Sequence, residues 1–309
     1  MGTPEFACPI LEALVARRDP VVAVVCQPDR ARGRGLAVTP PPVKLVALAR
    51  GLPVLQPDKL RDPAFIAALR DVAPDLIVVA AYGKILPRTI LDLPRHGCIN
   101  VHASLLPRHR GAAPITHAIL AGDPVTGVTI MVMNEEMDAG DVLFTLETHI
   151  GPEETAGTLT ARLAALGATA IGEAIDGLRA GTLRPVPQPT AGITFAPRIE
   201  RAHCVVDWSR PADALARQVR GLAPAPSAFT TLGGKLLKLH RAGVEPAGLP
   251  RPGATAPRPG EILPAGGLVA ATGAGALRLL EVQLAGGKRM DAAAFVAGHR
   301  VPPGTCLGT

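Results

Sequence analysis

Three short apolar runs constrain this chain more than anything else in it: VVAVVC at 21–26, DLIVVAAY at 75–82 and GCINVH at 97–102. Each is short, nearly unbroken and without strict polar alternation, which is the pattern of strands buried on both faces of a sheet. Helical patterns separate them. Residues 42–51 end at Gly51, and 62–72 open with Asp62 as N-cap and Pro63 at the first helical position. A helix is also predicted over 113–122, strands over 127–133 and 141–150, and a long amphipathic helix over 155–181. Strand–helix alternation of this kind specifies an α/β domain built on an open, mostly parallel sheet. Its site is expected beyond the carboxyl ends of the central strands. The chain reaches its opening turn, GTPEF, directly after Met1. The strand that should feed this turn is therefore expected to be absent from the sequence or to lie upstream of Met1.

The rhythm changes after residue 181. Residues 182–200 carry four prolines and no helical period, so they read as a linker or interdomain strap. Residues 201–309 hold a short helix at 211–222 followed by closely spaced β-like runs, which suggests a small β-barrel. The division predicted is a catalytic domain over 1–181, a linker over 182–200 and a second domain over 201–309. Charge follows the same division. Residues 1–200 carry 19 Lys and Arg against 20 Asp and Glu, whereas 201–309 carry 13 against 6. A basic second domain beside a neutral first one suggests a polyanionic partner, although a solvated basic surface fits as well.

Five cysteines without a CxxC pair argue against a disulfide framework and against a structural metal site. Three of them lie in apolar runs and read as small core residues. No secretory leader is visible, and no apolar stretch is long enough to span a bilayer. The reading is a cytoplasmic protein with no membrane contact, monomeric by default. Aromatic residues make up only 3%, so the core relies on Ala, Val and Leu.

The residues that carry chemistry cluster at one strand end. Asn100 and His102 alternate along the 97–102 run, so both side chains face one side. Asp138 sits in the turn NEEMDAGDVL just after the 127–133 strand. If the two strands are neighbours, an amide, an imidazole and a carboxylate converge. That set suits acyl transfer to an amine: Asn100, and His102 if protonated, donate to the oxyanion, while Asp138 holds the imidazole and favours its charged form. No covalent nucleophile is implied, because Ser104 lacks a nucleophile elbow. On spacing alone a structural Asn-x-His and a plain turn aspartate are the more ordinary readings. Arg108 and Arg110 suit an anion or a solvated face, the Leu106–Pro107 bond suits a cis turn, and His109 and His117 read as surface residues.

NVHASLLPRHRGAAPI followed by TGVTIMVMNEEMDAGDVL resembles the folate-dependent formyltransferases. GTPEFA near the start, QPDRARGRG and PPPVK within 27–44, VVAAYGKILP at 78–87 and LEVQLAGGKRMDAAAFVAG near the end extend the resemblance over the whole chain. They match the branch that formylates initiator tRNA. The resemblance implies a Rossmann-like catalytic domain and an OB-like second domain lying against tRNA. The donor would be 10-formyltetrahydrofolate, and the acceptor the amine of methionyl initiator tRNA. Asn100, His102 and Asp138 match the catalytic triad, and Ser104, Leu105, Leu106 and Pro107 the folate-contacting loop. Phe6 falls near the methionine side chain, and Arg32 and Arg34 fall in a loop that touches the acceptor stem. No metal is implied. Two alternatives stand beside this reading: the same chemistry on another amine, such as a sugar nucleotide or glycinamide ribonucleotide, and a tRNA-binding protein without catalysis.

Overall fold

The structure is a computed structural model that describes residues 1–32, 37–245 and 256–308. The chain forms two compact units. The first comprises 1–114, 125–149 and 160–197, and the second 115–124, 150–159 and 198–309.

The first unit is built on parallel strand pairs that become antiparallel toward one side. Val24–Val25 pairs in parallel with Val54–Leu55, and Ile77–Val79 pairs in parallel with Cys98–His102. Beyond that, Val125–Val132 runs antiparallel to Cys98–His102, and Val142–His149 antiparallel to Val125–Val132. The largely parallel sheet expected from the sequence is thus mixed. A parallel return needs a crossover element over the sheet, but the Pro114–Ala121 helix groups almost wholly with the second unit. A nine-residue turn then returns the chain from Val132 to Val142 as a hairpin. All five residues of Cys98–His102 are buried, as its apolar run requires, whereas Val142–His149 alternates and forms the edge.

Local signals account for the helices. Pro63–Asp71 starts where expected, with Asp62 accepting from the Ala64 N–H at 3.0 Å. Pro42–Ala49 begins with its proline in the first turn, and Ala156–Ala180 spans 25 residues. The 27–44 segment, read as a loop, contains a hairpin of Arg30–Arg32 and Ala37–Thr39. Of the segment 182–200, read as a linker or interdomain strap, residues 182–197 group with the first unit: Val186 bridges Val142, and Phe195 bridges Arg110.

The second unit carries a five-stranded antiparallel sheet, curled as a half-barrel rather than closed by a further strand pair among the described residues. Its longest strand, Lys235–Glu245, pairs with Ala228–Leu232 on one side and Ala276–Leu284 on the other, with a register shift around Leu239–Arg241 that bends it. Leu237, Leu239, Leu277, Leu279, Val282, Phe295 and Trp208 form its core. Trp208 donates its indole N–H to Thr230 at 3.0 Å, so it is a core residue and offers no stacking face.

No disulfide joins the cysteines among the described residues, and Cys26, Cys98 and Cys204 are buried. No helix among the described residues is long and apolar enough to cross a membrane.

One terminus is buried. The Met1 ammonium donates to the Val78 carbonyl at 2.6 Å, and burial lowers its pKa from 8.0 to about 6. Between those values the unfolded chain binds the proton and the folded chain does not, so stability rises with pH across that window. The expected outcome in urea unfolding is a gain from pH 6 to pH 8 of up to roughly 1.4 kcal/mol per pH unit. His240, also shifted downward by burial, adds in the same direction at the acidic end. Nα-acetylation should remove the Met1 share; a slope unchanged by acetylation would contradict it.

Candidate active site

Two neighbouring strands and one turn build the site. In the register of the sheet, Asn100 lies opposite Met131 and His102 opposite Thr129. Both point to one side by the two-residue period of the strand. The chain leaves Val132, turns, and re-enters at Val142, and this turn presents Asp138 with φ +51°. Aspartate tolerates the left-handed region better than most residues. The turn is held tightly: a side chain at Gly140 would place its Cβ 1.9 Å from the Val132 carbonyl oxygen.

The three expected groups meet. Asn100 Nδ2 donates to Asp138 Oδ1 at 3.3 Å, and His102 Nδ1 lies 3.6 Å from the same oxygen. Asp138 Oδ2 accepts the Gly111 backbone N–H at 2.9 Å. His102 Nε2 lies 3.0 Å from the carbonyl of His109. A carbonyl only accepts, so Nε2 carries a hydrogen, and both ring nitrogens face oxygen. Asn100 and His102 are almost fully buried, which strengthens each of these interactions relative to water.

The loop after His102 is rigid by construction. The Leu106–Pro107 bond is cis. Ser104 is fully buried and donates to the Arg108 carbonyl at 2.6 Å. Thr129 donates to the Ser104 carbonyl at 2.7 Å and accepts from the Leu106 N–H at 3.1 Å. Ser104–Pro107 thus spends much of its hydrogen bonding on its own shape, and the surface it offers a ligand is preformed. His109, read as a surface residue, is buried with φ +58°; its carbonyl is needed by His102, which turns the residue inward.

Sequence reasoning missed the strap that closes this arrangement. Gln188 Nε2 donates to the carbonyls of Asp138 and Gly140 at 2.9 and 2.7 Å, and its Oε1 accepts from Arg110 at 2.7 Å. Thr194 accepts the His109 N–H at 2.8 Å. A single glutamine among prolines has no spacing that would have marked it. Arg110, expected to face an anion or solvent, is spent on Gln188.

The remaining candidates stand on other elements. Phe6 is buried at the start of Ala7–Val15, after a turn that Thr3, Gln27 and Tyr82 hold together. Arg32 closes the first strand of the 30–39 hairpin, its side chain outside the described residues; Arg34 lies wholly outside them. Near that hairpin Asp29 accepts from Gln56 and Lys44 at 2.7 Å, hydrogen bonds that hold its carboxyl below the usual range. No cluster of metal-ligating side chains occurs among the described residues.

Residues 1–175 match the family described as Formyl transferase, and 198–300 match Formyl transferase, C-terminal domain. A methionyl-tRNA formyltransferase of Myxococcus xanthus is 52% identical over 305 residues, covering 99% of this chain and 96% of that protein. One from Geobacter metallireducens is 46% identical over 308 residues, covering 100% and 97%. Among solved structures, an N-formyltransferase from Helicobacter canadensis in complex with folinic acid and dTDP-3-aminofucose superposes with a TM-score of 0.65 at 14% identity, over 94% of this chain and 97% of that one. HypX from Aquifex aeolicus with tetrahydrofolic acid gives 0.58 at 21%, over 81% and 43%. These two likenesses are likenesses of fold.

The contact between strap and loop leads to a sharp expectation. Gly111 has φ +126°, and a Cβ there would lie 2.6 Å from the Ala196 carbonyl oxygen. Gly111→Ala should destabilise the first unit by about 2 kcal/mol or more in urea unfolding. A destabilisation below about 0.5 kcal/mol would show that the strap does not press on this loop.

Proposed function

This chain belongs to the formyl transferase family, and from that premise we propose that it transfers the formyl group of 10-formyltetrahydrofolate to the α-amino group of methionine carried by initiator tRNA. Its relatives of 46–52% identity over nearly full length are methionyl-tRNA formyltransferases. The observation that carries the chemistry is the convergence of Asn100 and His102 on the Asp138 carboxylate.

In this reading the neutral methionyl amine attacks the formyl carbon. The new C–N bond forms as the carbonyl π pair moves onto oxygen. Asn100 spends one amide hydrogen on Asp138 and has a second for the oxyanion. Such a donor lowers a barrier by about 3–4 kcal/mol where it has been measured. The proton shed by the attacking amine passes through the His102–Asp138 pair to N10 of the folate. The C–N10 bond then breaks, giving the formamide and tetrahydrofolate. Gln188 holds the Asp138 turn from behind, and Ser104–Pro107 forms the wall against which the folate lies. Phe6 and the 30–39 hairpin, with Arg32 and Arg34, serve the methionyl end of the tRNA.

The second unit binds the tRNA body through phosphate contacts. Four of its acidic side chains are neutralised internally, in the pairs Arg217–Asp213, Arg258–Glu261, Arg278–Glu245 and Arg289–Glu281. Lys235, Arg241, Lys288 and Arg300 are exposed and form no ion pair among the described residues, which leaves their charge for phosphates. The free thiols fit a reducing compartment, and we take the enzyme to act in the cytoplasm as a monomer.

Two measurements test this. Asn100→Ala and Asp138→Ala should each lower kcat by about 10²-fold or more while the KM for the folate changes little. Near-normal turnover in either removes its assigned role. A combined substitution of Lys235, Arg241, Lys288 and Arg300 by Gln should weaken tRNA binding and flatten the dependence of log K on log salt. The slope should fall by up to ~0.7–0.9 for each phosphate whose neutralising cation is removed. An unchanged slope would move the tRNA off this unit.

A further inference from the structure

Of residues 184–193, Gln188 alone is not exposed. Its neighbours in the strap face solvent, and its amide turns inward to the Asp138 turn. Every hydrogen-bonding position of that amide is filled. The two Nε2 hydrogens go to the carbonyls of Asp138 and Gly140, at 2.9 and 2.7 Å. Oε1 accepts from Nε and Nη2 of Arg110, at 3.2 and 2.7 Å. Reversing the amide would set its oxygen against two carbonyl oxygens and its NH2 group against a guanidinium, which only donates. Arg110 therefore fixes which way the glutamine faces.

The strap does not need this side chain to keep its path. Val186 and Val142 exchange both of their backbone hydrogen bonds at 2.8 Å. On the other side of Gln188, Arg110 donates its backbone N–H to the Thr194 carbonyl at 2.9 Å, and Ala196 donates to the Arg110 carbonyl at 2.7 Å. The turn depends on it more. Residues 134–137 are exposed, and Asp138 follows them in the left-handed region. The position of Asp138 then decides two contacts: Oδ1 accepts from Asn100 at 3.3 Å, and Oδ2 accepts from the Gly111 N–H at 2.9 Å.

We propose that Gln188 and Arg110 are a positioning pair for formyl transfer. Arg110 sets the orientation of the Gln188 amide, that amide sets the Asp138 carboxylate, and the carboxylate gives Asn100 its direction. Neither residue of the pair touches the reacting atoms. A small misplacement of a donor is enough to slow a reaction of this kind strongly, even when its cause lies away from the chemistry. The consequence for rate rests on the reaction assigned above; the consequence for the place of Asp138 does not. The Gly111 amide reports that place without any turnover, because its only backbone donor is the one that Asp138 Oδ2 accepts.

The test compares Gln188→Glu, Gln188→Met, Arg110→Met, Arg110→Lys and the double variant Gln188→Met with Arg110→Met against the unaltered chain. Glutamate keeps the length and still accepts from Arg110, but it has no hydrogens for the two carbonyls. Both Gln188 variants should lower kcat, and the single-turnover rate at saturating substrates, by about 10- to 100-fold. The KM for folate and the KM for methionyl-tRNA should each change by less than about 2-fold. Hydrogen exchange at the Gly111 amide should quicken by about 10-fold or more, with the amides of Val125–Val132 unaffected. Arg110→Met should also lower kcat, Arg110→Lys should recover part of it, and Arg110→Met should add less than about 2-fold to Gln188→Met, as residues that act as one unit do. Unchanged kcat in Gln188→Glu, multiplied effects in the double variant, or a raised KM in place of a lowered kcat would each overturn the proposal. If Gln188→Met does not fold, Gln188→Glu, which keeps the Arg110 contact, decides. A chain that forms no formylmethionyl-tRNA would sink the functional reading instead, and Gly111 exchange would then decide the pair: no change in either Gln188 variant overturns it.

Discussion

The site depends on one carboxylate that collects two donors and faces an imidazole. Asp138 receives the amide of Asn100, faces the imidazole of His102 and accepts the backbone N–H of Gly111. These come from a buried strand and from the loop that follows it, while Asp138 itself stands on a separate turn. A partly buried carboxylate is costly to keep charged unless such partners compensate it. The same partners give it a fixed position, so the electrostatic requirement and the geometric one are met by the same contacts. Asn100 is thereby oriented, and its second hydrogen has a defined direction before any substrate arrives. Donors fixed in advance need little reorganisation as charge develops, and this is where such sites gain most of their effect.

The segment 182–197 makes that carboxylate position hold. A turn residue at φ +51° is easily displaced, since its own backbone offers little to resist movement. Gln188 removes this freedom by bonding to the carbonyls on both sides of Ala139, while its oxygen is fixed by Arg110. Thr194 does the same for His109, whose carbonyl fixes the ring of His102. The strap therefore sets both ends of the His102–Asp138 contact, although none of its own side chains belongs to the triad.

What the sequence disclosed and what it withheld have separate physical causes. Asn100 and His102 were legible because strand alternation puts i and i+2 on one face, and the apolar run around them marks the strand. Asp138 was legible as a turn residue, and its meeting with the other two required only that Cys98–His102 and Val125–Val132 be neighbours. The antiparallel direction of that pair was not legible: it depends on whether the 114–121 helix crosses the sheet, which its own periodicity does not say. His109 was misread because a histidine between two arginines looks solvated. Its burial follows from a carbonyl that His102 needs, a demand no local pattern encodes. Gln188 and Thr194 were invisible for the same reason, since they act through long-range contacts in a stretch whose prolines conceal any period. The pairing of Arg30–Arg32 with Ala37–Thr39 rests on three residue pairs, too few for alternation to show.

The triad strand is flanked on both sides: Val79 pairs with Asn100 on one, and Met131 on the other. The backbone that carries Asn100 and His102 is therefore paired along both edges before any ligand arrives, and an unpaired buried backbone group would be costly. Side-chain direction at these two positions follows from the ladder, so a substrate meets donors whose placement the sheet has already decided.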